Sequence, residues 1–127
     1  MRLKGKRESV GGVNWQHLAQ PFPMWYRLRV DIAANASGKS VWLCAPAVVN
    51  EAWVWVNGQY AGHRAHQLPW FRPQPVELDV TSLIRPGQRN QITFRVLNNV
   101  DVFGASGIYE RMFIYAKNPG AGSNRAR

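Results

Sequence analysis

The segment from Trp53 to Gly62, Trp-Val-Trp-Val-Asn-Gly-Gln-Tyr-Ala-Gly, constrains the fold of this 127-residue chain more than any other. Its first four residues are aromatic or β-branched, which favours a pleated, buried strand. Asn57 and Gly58 then supply the two residues that tolerate positive φ in a type I′ turn, so a return strand starts directly after them. The sequence therefore predicts a tight, tryptophan-rich hairpin and, with it, an all-β domain.

Alternating apolar and polar residues predict further strands on both sides of this hairpin. From Trp25 to Ile32 the apolar side chains occupy one face and the charged side chains the other, which is typical of a half-buried strand. The other predicted strands are 40–44, 51–57, 76–80, 91–97 and 108–116, with one helical turn at 82–85 and a loop over 63–75. Turn-forming residues separate these segments, and no stretch has sustained helical periodicity. We therefore predict an antiparallel β-sandwich or barrel.

The composition limits the functions that the chain can have. Hydrophobic residues make up 46% of the sequence, so one domain of this length can bury a core without metal or disulfide help. Cys44 is the single cysteine, which excludes an internal disulfide, and we expect it to be a small buried residue. No apolar run approaches the roughly 20 residues of a membrane span. The net charge of +9 raises the rate of encounter with any polyanion, whether nucleic acid or acidic polysaccharide, but the interpretation that we favour is a basic surface that only keeps the domain soluble.

Five short motifs occur in an order that resembles the sugar-binding jelly-roll domain of glycoside hydrolase family 2 enzymes. They are Trp25-Tyr26-Arg27, the segment 52–58 followed by Gly62, the segment 78–87, the segment 90–96, and Gly107-Ile108-Tyr109. The resemblance implies an antiparallel β-sandwich of jelly-roll type with the galactose-binding-domain-like fold. It also implies that the catalytic carboxylates of such an enzyme lie in a separate barrel domain.

The resemblance and the residue pattern together divide the chain into three segments. We assign 1–12 to a disordered or added tail, 13–117 to a carbohydrate-binding-like β-sandwich, and 118–127 to a second disordered tail. Serine-hydrolase and phosphate-loop patterns are absent from the sequence, and a glycosidase needs two carboxylates that face one cleft. We therefore predict that this chain is not itself an enzyme.

Two predicted loops carry the side chains that a saccharide site would use, namely rings that stack on a pyranose and planar polar groups that bind its hydroxyls. The predicted ligand-binding residues are His63, Arg64, His66, Gln67, Trp70 and Arg72 in the first loop, and Asn98, Asn99 and Asp101 in the second. The alternative for Trp70 is that it closes one end of the core.

Trp53 and Trp55 share one face of their strand, opposite Val54 and Val56, and only one of these pairs can face the core. An exposed tryptophan pair would form a platform for a glycan chain. The interpretation that we favour is that the pair packs against a neighbouring domain.

The sequence thus predicts a non-catalytic carbohydrate-binding module, or an ancillary sugar-binding domain of a glycoside hydrolase, for a poly- or oligosaccharide that can be acidic. The alternatives are a structural domain that docks on the catalytic domain of a parent glycosidase and, ranked last, a nucleic-acid binder. His63 and His66 lack a third ligand for zinc, and no cofactor is expected, although the fold class allows a structural calcium ion. We expect no membrane association and an extracellular or periplasmic location in a bacterium.

Overall fold

The structure, a computed structural model, describes residues 23–68, 72–98 and 106–118. Of the two predicted tails, only residue 118 falls within these ranges. The elements in this part of the chain are β1 (Met24–Asp31), a 3-10 turn (Ala34–Ala36), β2 (Ser40–Val49), β3 (Glu51–Val56), β4 (Gln59–Arg64), β5 (Gln74–Asp79), β6 (Arg89–Leu97), β7 (Gly107–Ile108) and β8 (Phe113–Lys117).

These strands form two antiparallel sheets that pack face to face. The first sheet has the order β1-β6-β3-β4. In the second sheet β2 is central, with β5 on one edge and β7 and β8 along the other. Strands that are distant in sequence, such as β1 and β6, are neighbours in the first sheet. The predicted antiparallel β-sandwich of jelly-roll type is confirmed.

Alternate residues of both sheets face inward and form one core. In β3 the residues Ala52, Val54 and Val56 are buried, while the residues between them face outward. Phe94 from β6 and Leu43 from β2 are among the largest fully buried side chains of the same cluster. The period-two pattern of the sequence therefore becomes an inner apolar face and an outer polar or aromatic face.

Two strands are longer than predicted. β2 continues through Pro46 to Val49, because its register with β5 shifts between Ala45 and Val48, and an irregularity of this kind accommodates a proline. β4 extends to Arg64, two residues beyond its predicted end at Gly62.

Three other predictions are also corrected. The helical turn predicted at 82–85 is a single turn at 81–83, in which the N–H groups of Leu83 and Ile84 both donate to the carbonyl oxygen of Val80. The predicted strand 108–116 is divided into β7 and β8. Cys44 is only partly buried, because it lies on the outer side of β2; this burial, with a contribution from the Glu77 carboxylate, raises the pKa of its thiol.

A network of buried amides holds the hairpin turn between β3 and β4. Asn57 has a φ of 52°, as a type I′ turn requires. Its side-chain nitrogen donates to the carbonyl oxygen of Leu83 at 2.9 Å and to Oδ1 of Asn90 at 2.7 Å. Asn90 is fully buried and accepts a second hydrogen bond from the backbone N–H of Arg85. Its side-chain nitrogen donates to the carbonyl oxygens of Arg85 and Gln88, in the segment between β5 and β6. Every hydrogen-bonding position of this amide is therefore used.

We predict that Asn90→Ala lowers the free energy of unfolding by about 2–4 kcal/mol, since buried backbone groups around the turn lose their partners. Urea denaturation followed by tryptophan fluorescence measures this loss. Asn35→Ala is the matched control, because Asn35 is exposed in the 3-10 turn, and it should change stability by less than about 0.5 kcal/mol. Equal losses in the two variants would contradict the structural role of Asn90.

Candidate functional site

The two segments predicted to form a binding site start from the same end of the sandwich. Ala52, near the start of β3, pairs with Arg64 at the end of β4 on one side and with Val96 near the end of β6 on the other. β2 also ends here, since Val48 pairs with Ile108 of β7. We term this region the loop end and define it by residues 50, 64–68, 72–73, 98 and 106. The register thus brings together the starting points of both predicted loops.

Arg64 joins three strands at the loop end. Its guanidinium donates to the carbonyl oxygens of Gln74 at 2.8 Å, Pro75 at 2.7 Å and Val48 at 3.3 Å, and also to that of Asn50. Burial lowers the pKa of the guanidinium, which remains charged at neutral pH. Arg64 therefore lies in a strand rather than in the predicted loop. Its described hydrogen bonds are all to backbone carbonyl oxygens of the same domain.

Asn50 fixes the segment that follows β4. This fully buried residue donates from its side-chain nitrogen to the carbonyl oxygen of Gln67 at 2.7 Å, and its Oδ1 accepts the backbone N–H of Gln67 at 2.8 Å. The amide pairs with the Gln67 backbone as an adjacent strand would, while the Gln67 residue stays exposed. Asn50 was not among the residues predicted from the sequence, although its position as a polar residue between two apolar strand segments could have indicated it.

Three of the predicted ligand-binding residues, namely Arg64 at Nε, His66 and Asn98, have buried polar atoms without a partner among the described residues. Asn98 is 1% exposed, and within those ranges neither its side-chain oxygen nor its side-chain nitrogen is hydrogen-bonded. Its backbone N–H donates to Oγ of Ser106 at 2.7 Å. Nδ1 of His66 is also buried, and the described part of the chain offers it no partner. Since buried polar groups are normally paired, these atoms mark positions where a further polar partner would be favourable.

The other predicted site residues are not all at the loop end. Arg72 is there and is exposed. His63 lies in β4, which corrects its predicted position in a loop, and its ring stacks on Trp53 with centroids 5.0 Å apart. Its Nε2 is 3.2 Å from the Glu51 carboxylate, on the outer surface of the first sheet. The remaining predicted residues, Trp70, Asn99 and Asp101, lie outside the described residues and stay predictions.

The tryptophans of β3 face outward. Val54 and Val56 are fully buried, so Trp53 and Trp55 lie on the opposite surface of the first sheet. The Trp55 ring stacks on Trp25 with centroids 5.8 Å apart. This orientation leaves both interpretations, a glycan platform and a contact with a neighbouring domain, to be tested.

Within residues 23–68, 72–98 and 106–118, no group of three or more His, Cys, Asp or Glu side chains is placed to hold a metal ion. The structural calcium ion that the fold class allows stays a prediction. The same part of the chain has no helix with the length and apolar character needed to cross a membrane.

We predict that Arg64→Ala lowers the free energy of unfolding by about 2–4 kcal/mol, because four carbonyl oxygens lose a charged donor. Arg72→Ala removes the same kind of side chain from an exposed position and should change stability by less than about 0.5 kcal/mol. Thermal and urea unfolding of the two variants measure the difference. A fully stable Arg64→Ala variant would contradict the structural role of these contacts.

Part of this chain is similar in sequence to a curated protein. No protein-family model matches the chain. A beta-glucuronidase from Paenibacillus borealis is 33% identical over 78 residues, which amount to 61% of this chain and 12% of that protein.

Solved structures extend this similarity. A glycosyl hydrolase family 2 member from Bacteroides cellulosilyticus aligns with 76% of this chain and 13% of its own, at a TM-score of 0.62 and 29% identity. The beta-D-glucuronidase of Dictyoglomus thermophilum aligns with 76% of this chain and 21% of its own, at a TM-score of 0.66 and 19% identity, which shows the fold alone. The chain thus spans between 12% and 21% of the length of these relatives. In fold and in sequence, this chain is similar to a β-sandwich domain of glycoside hydrolase family 2 proteins.

Proposed function

We propose that this chain is a non-catalytic domain of a larger glycoside hydrolase and that it binds a poly- or oligosaccharide at the loop end. The observation that carries the proposal is the buried amide of Asn98, which has no partner among the described residues and lies where two loops start. The small share of each relative that the chain spans supports an ancillary rather than a catalytic role.

The loop end offers the groups that sugar hydroxyls require. Gln67 and Arg72 are exposed, and Asn98 and His66 contribute buried polar atoms. Amide and imidazole groups both donate and accept hydrogen bonds, as hydroxyls do. A hydroxyl that reaches a buried unpaired amide gains more than one that only replaces water on an exposed group. A shallow site of this kind binds weakly, because little free energy is left after ligand and loops are ordered.

The residues outside the described ranges complete this proposal. Trp70 would stack on the apolar face of a pyranose, and Asn99 and Asp101 would bind hydroxyls from the second loop. A saccharide that contains uronic acid is the class to test first, because two relatives are glucuronidases by name and the net charge of this chain is +9. The proposal includes a catalytic domain in the same parent protein and an extracellular or periplasmic location in a bacterium.

A second function, docking on the catalytic domain without any affinity for sugar, is favoured by the outer face of the second sheet. Phe113 of β8 is 49% exposed there, and its ring centroid lies 6.0 Å from that of Tyr115. Exposed aromatic surface of this kind commonly marks a protein contact. A domain with this function alone would bind no saccharide.

A glycan array followed by isothermal titration calorimetry tests the proposed function. We predict that His66→Ala and Gln67→Ala each weaken saccharide binding at least about fivefold, the effect of one lost hydrogen bond. Gln67→Ala keeps the backbone pairing with Asn50, so the loop should stay in place.

The matched control is Gln59→Ala, at the opposite end of β4, which should change the affinity less than about twofold. Binding to no saccharide on the array would overturn the proposal in favour of the docking domain. Wild-type affinity in both loop variants would remove the site from the loop end.

A further inference from the structure

The outer surface of the first sheet combines large aromatic rings with arginines. We term it the tryptophan face and define it by Trp25, Arg27, Arg29, Trp53, Trp55 and Tyr60. Trp25 is 49% exposed and Tyr60 57% exposed. These residues lie on the side of the sheet opposite the core and are separate from the loop end.

Cross-strand register arranges the rings in two adjacent rows. One row pairs Trp25 with Arg95, Arg95 with Trp53, and Trp53 with His63. The next row places the small Thr93 between Arg27 and Trp55, and Trp55 beside Tyr60.

The rings of Trp25 and Trp55 stack on each other across β6, with centroids 5.8 Å apart and an interplanar angle of 24°. Tyr60 lies at the other side of Trp55, with centroids 6.0 Å apart. Three rings therefore form a continuous strip across the strands, with its most exposed members at the two ends.

The charges on this face are mostly basic. Arg27 and Arg29 are exposed, and the described residues provide neither with a carboxylate within 4.0 Å. The carboxylates on the same surface have partners, since Glu51 faces His63 and Asp31 faces Arg89. The guanidinium of Arg95 lies 4.5 Å from the centroid of the Trp53 ring. An occupant of this face would therefore meet both exposed ring surface and unpaired positive charge.

We propose that the tryptophan face binds an anionic saccharide chain. The apolar C–H face of a sugar ring would pack on Trp25 or Tyr60, and a carboxylate of the sugar would pair with Arg27 and Arg29. An arginine pairs with a carboxylate through two parallel hydrogen bonds, which fixes the ligand in orientation as well as in place.

A single-stranded nucleic acid fits this surface less well. Successive bases require several separate ring faces on which to stack. Here Trp55 is covered by Trp25, and Trp53 is covered by His63 and Arg95. A saccharide needs one or two exposed rings, which Trp25 and Tyr60 provide. The tryptophan face is a second site, separate from the loop end, and binding there does not depend on binding at the loop end.

Oligomers of galacturonic acid are the probe, with cello-oligosaccharides of equal length as the neutral comparison and oligo(dT) as the nucleic acid. Titration calorimetry at low and physiological salt should show that the galacturonate oligomer binds at least about tenfold tighter than the neutral one. Trp25→Ala should weaken its binding about tenfold. The double variant Arg27→Gln, Arg29→Gln, which changes only exposed side chains, should remove the preference for the anionic oligomer.

Phe113→Ala is the matched control, because Phe113 has the same 49% exposure on the other sheet, and it should change the affinity less than about twofold. In the Gln67→Ala variant, which weakens the loop end, binding of this probe should remain sensitive to Trp25→Ala, and this separates the tryptophan face from the loop end. The inference is overturned if the wild type does not bind the galacturonate oligomer, if oligo(dT) binds more tightly, or if Trp25→Ala and Phe113→Ala have equal effects. It is also overturned if Gln67→Ala abolishes binding and Trp25→Ala does not.

Discussion

The pairing of β3 between β4 and β6 determines both candidate surfaces of this domain. Ala52, Val54 and Val56 must face inward to complete the core, so the alternate residues, including both tryptophans, must face outward. The same register places the ends of β4 and β6 on either side of the start of β3, which brings the loop segments together. A shift by one residue would reverse every side chain of the strand, burying the indoles and exposing the valines. The loop end and the tryptophan face are thus consequences of one packing requirement.

Buried polar residues in this fold differ in how completely they are hydrogen-bonded. Asn90 makes all the hydrogen bonds that its amide allows. The Asn50 side chain makes with the Gln67 backbone the two hydrogen bonds that an adjacent strand would make. Arg64 has four carbonyl partners, although one guanidinium nitrogen, Nε, is left without a partner in the described part of the chain. Asn98 is as buried as Asn50 and Asn90, yet its side chain has no partner in the described ranges. Residue type alone would rank all of these as equal candidates, whereas their partners separate the amides that the fold already uses from the amide of Asn98, which has no described partner.

Local patterns predicted the strands and the hairpin because their causes are local. The alternation in β1 and the Asn-Gly turn require no knowledge of distant residues. The continuation of β2 through Pro46 depends on its pairing with β5, some thirty positions later in the chain. Likewise, the role of Arg64 depends on carbonyl groups 10 to 16 positions away in sequence. The sequence could show that a loop region was rich in sugar-binding residue types, but not which of them the fold already uses.

The same distinction applies to the basic charge. Net charge counts every arginine equally, whereas in the structure the arginines differ in whether their charge already has a partner. Arg64 is held by backbone carbonyls, and Arg89 faces Asp31, an interaction that lowers the pKa of that carboxyl group. Arg27 and Arg29 instead lie beside exposed indole surface, with no carboxylate within 4.0 Å of either in the described ranges. A cation without a neighbouring anion remains available to a charged ligand, and adjacent aromatic surface adds an apolar contact that bulk charge cannot provide. Positive charge without a carboxylate partner within 4.0 Å therefore coincides with exposed rings on the tryptophan face.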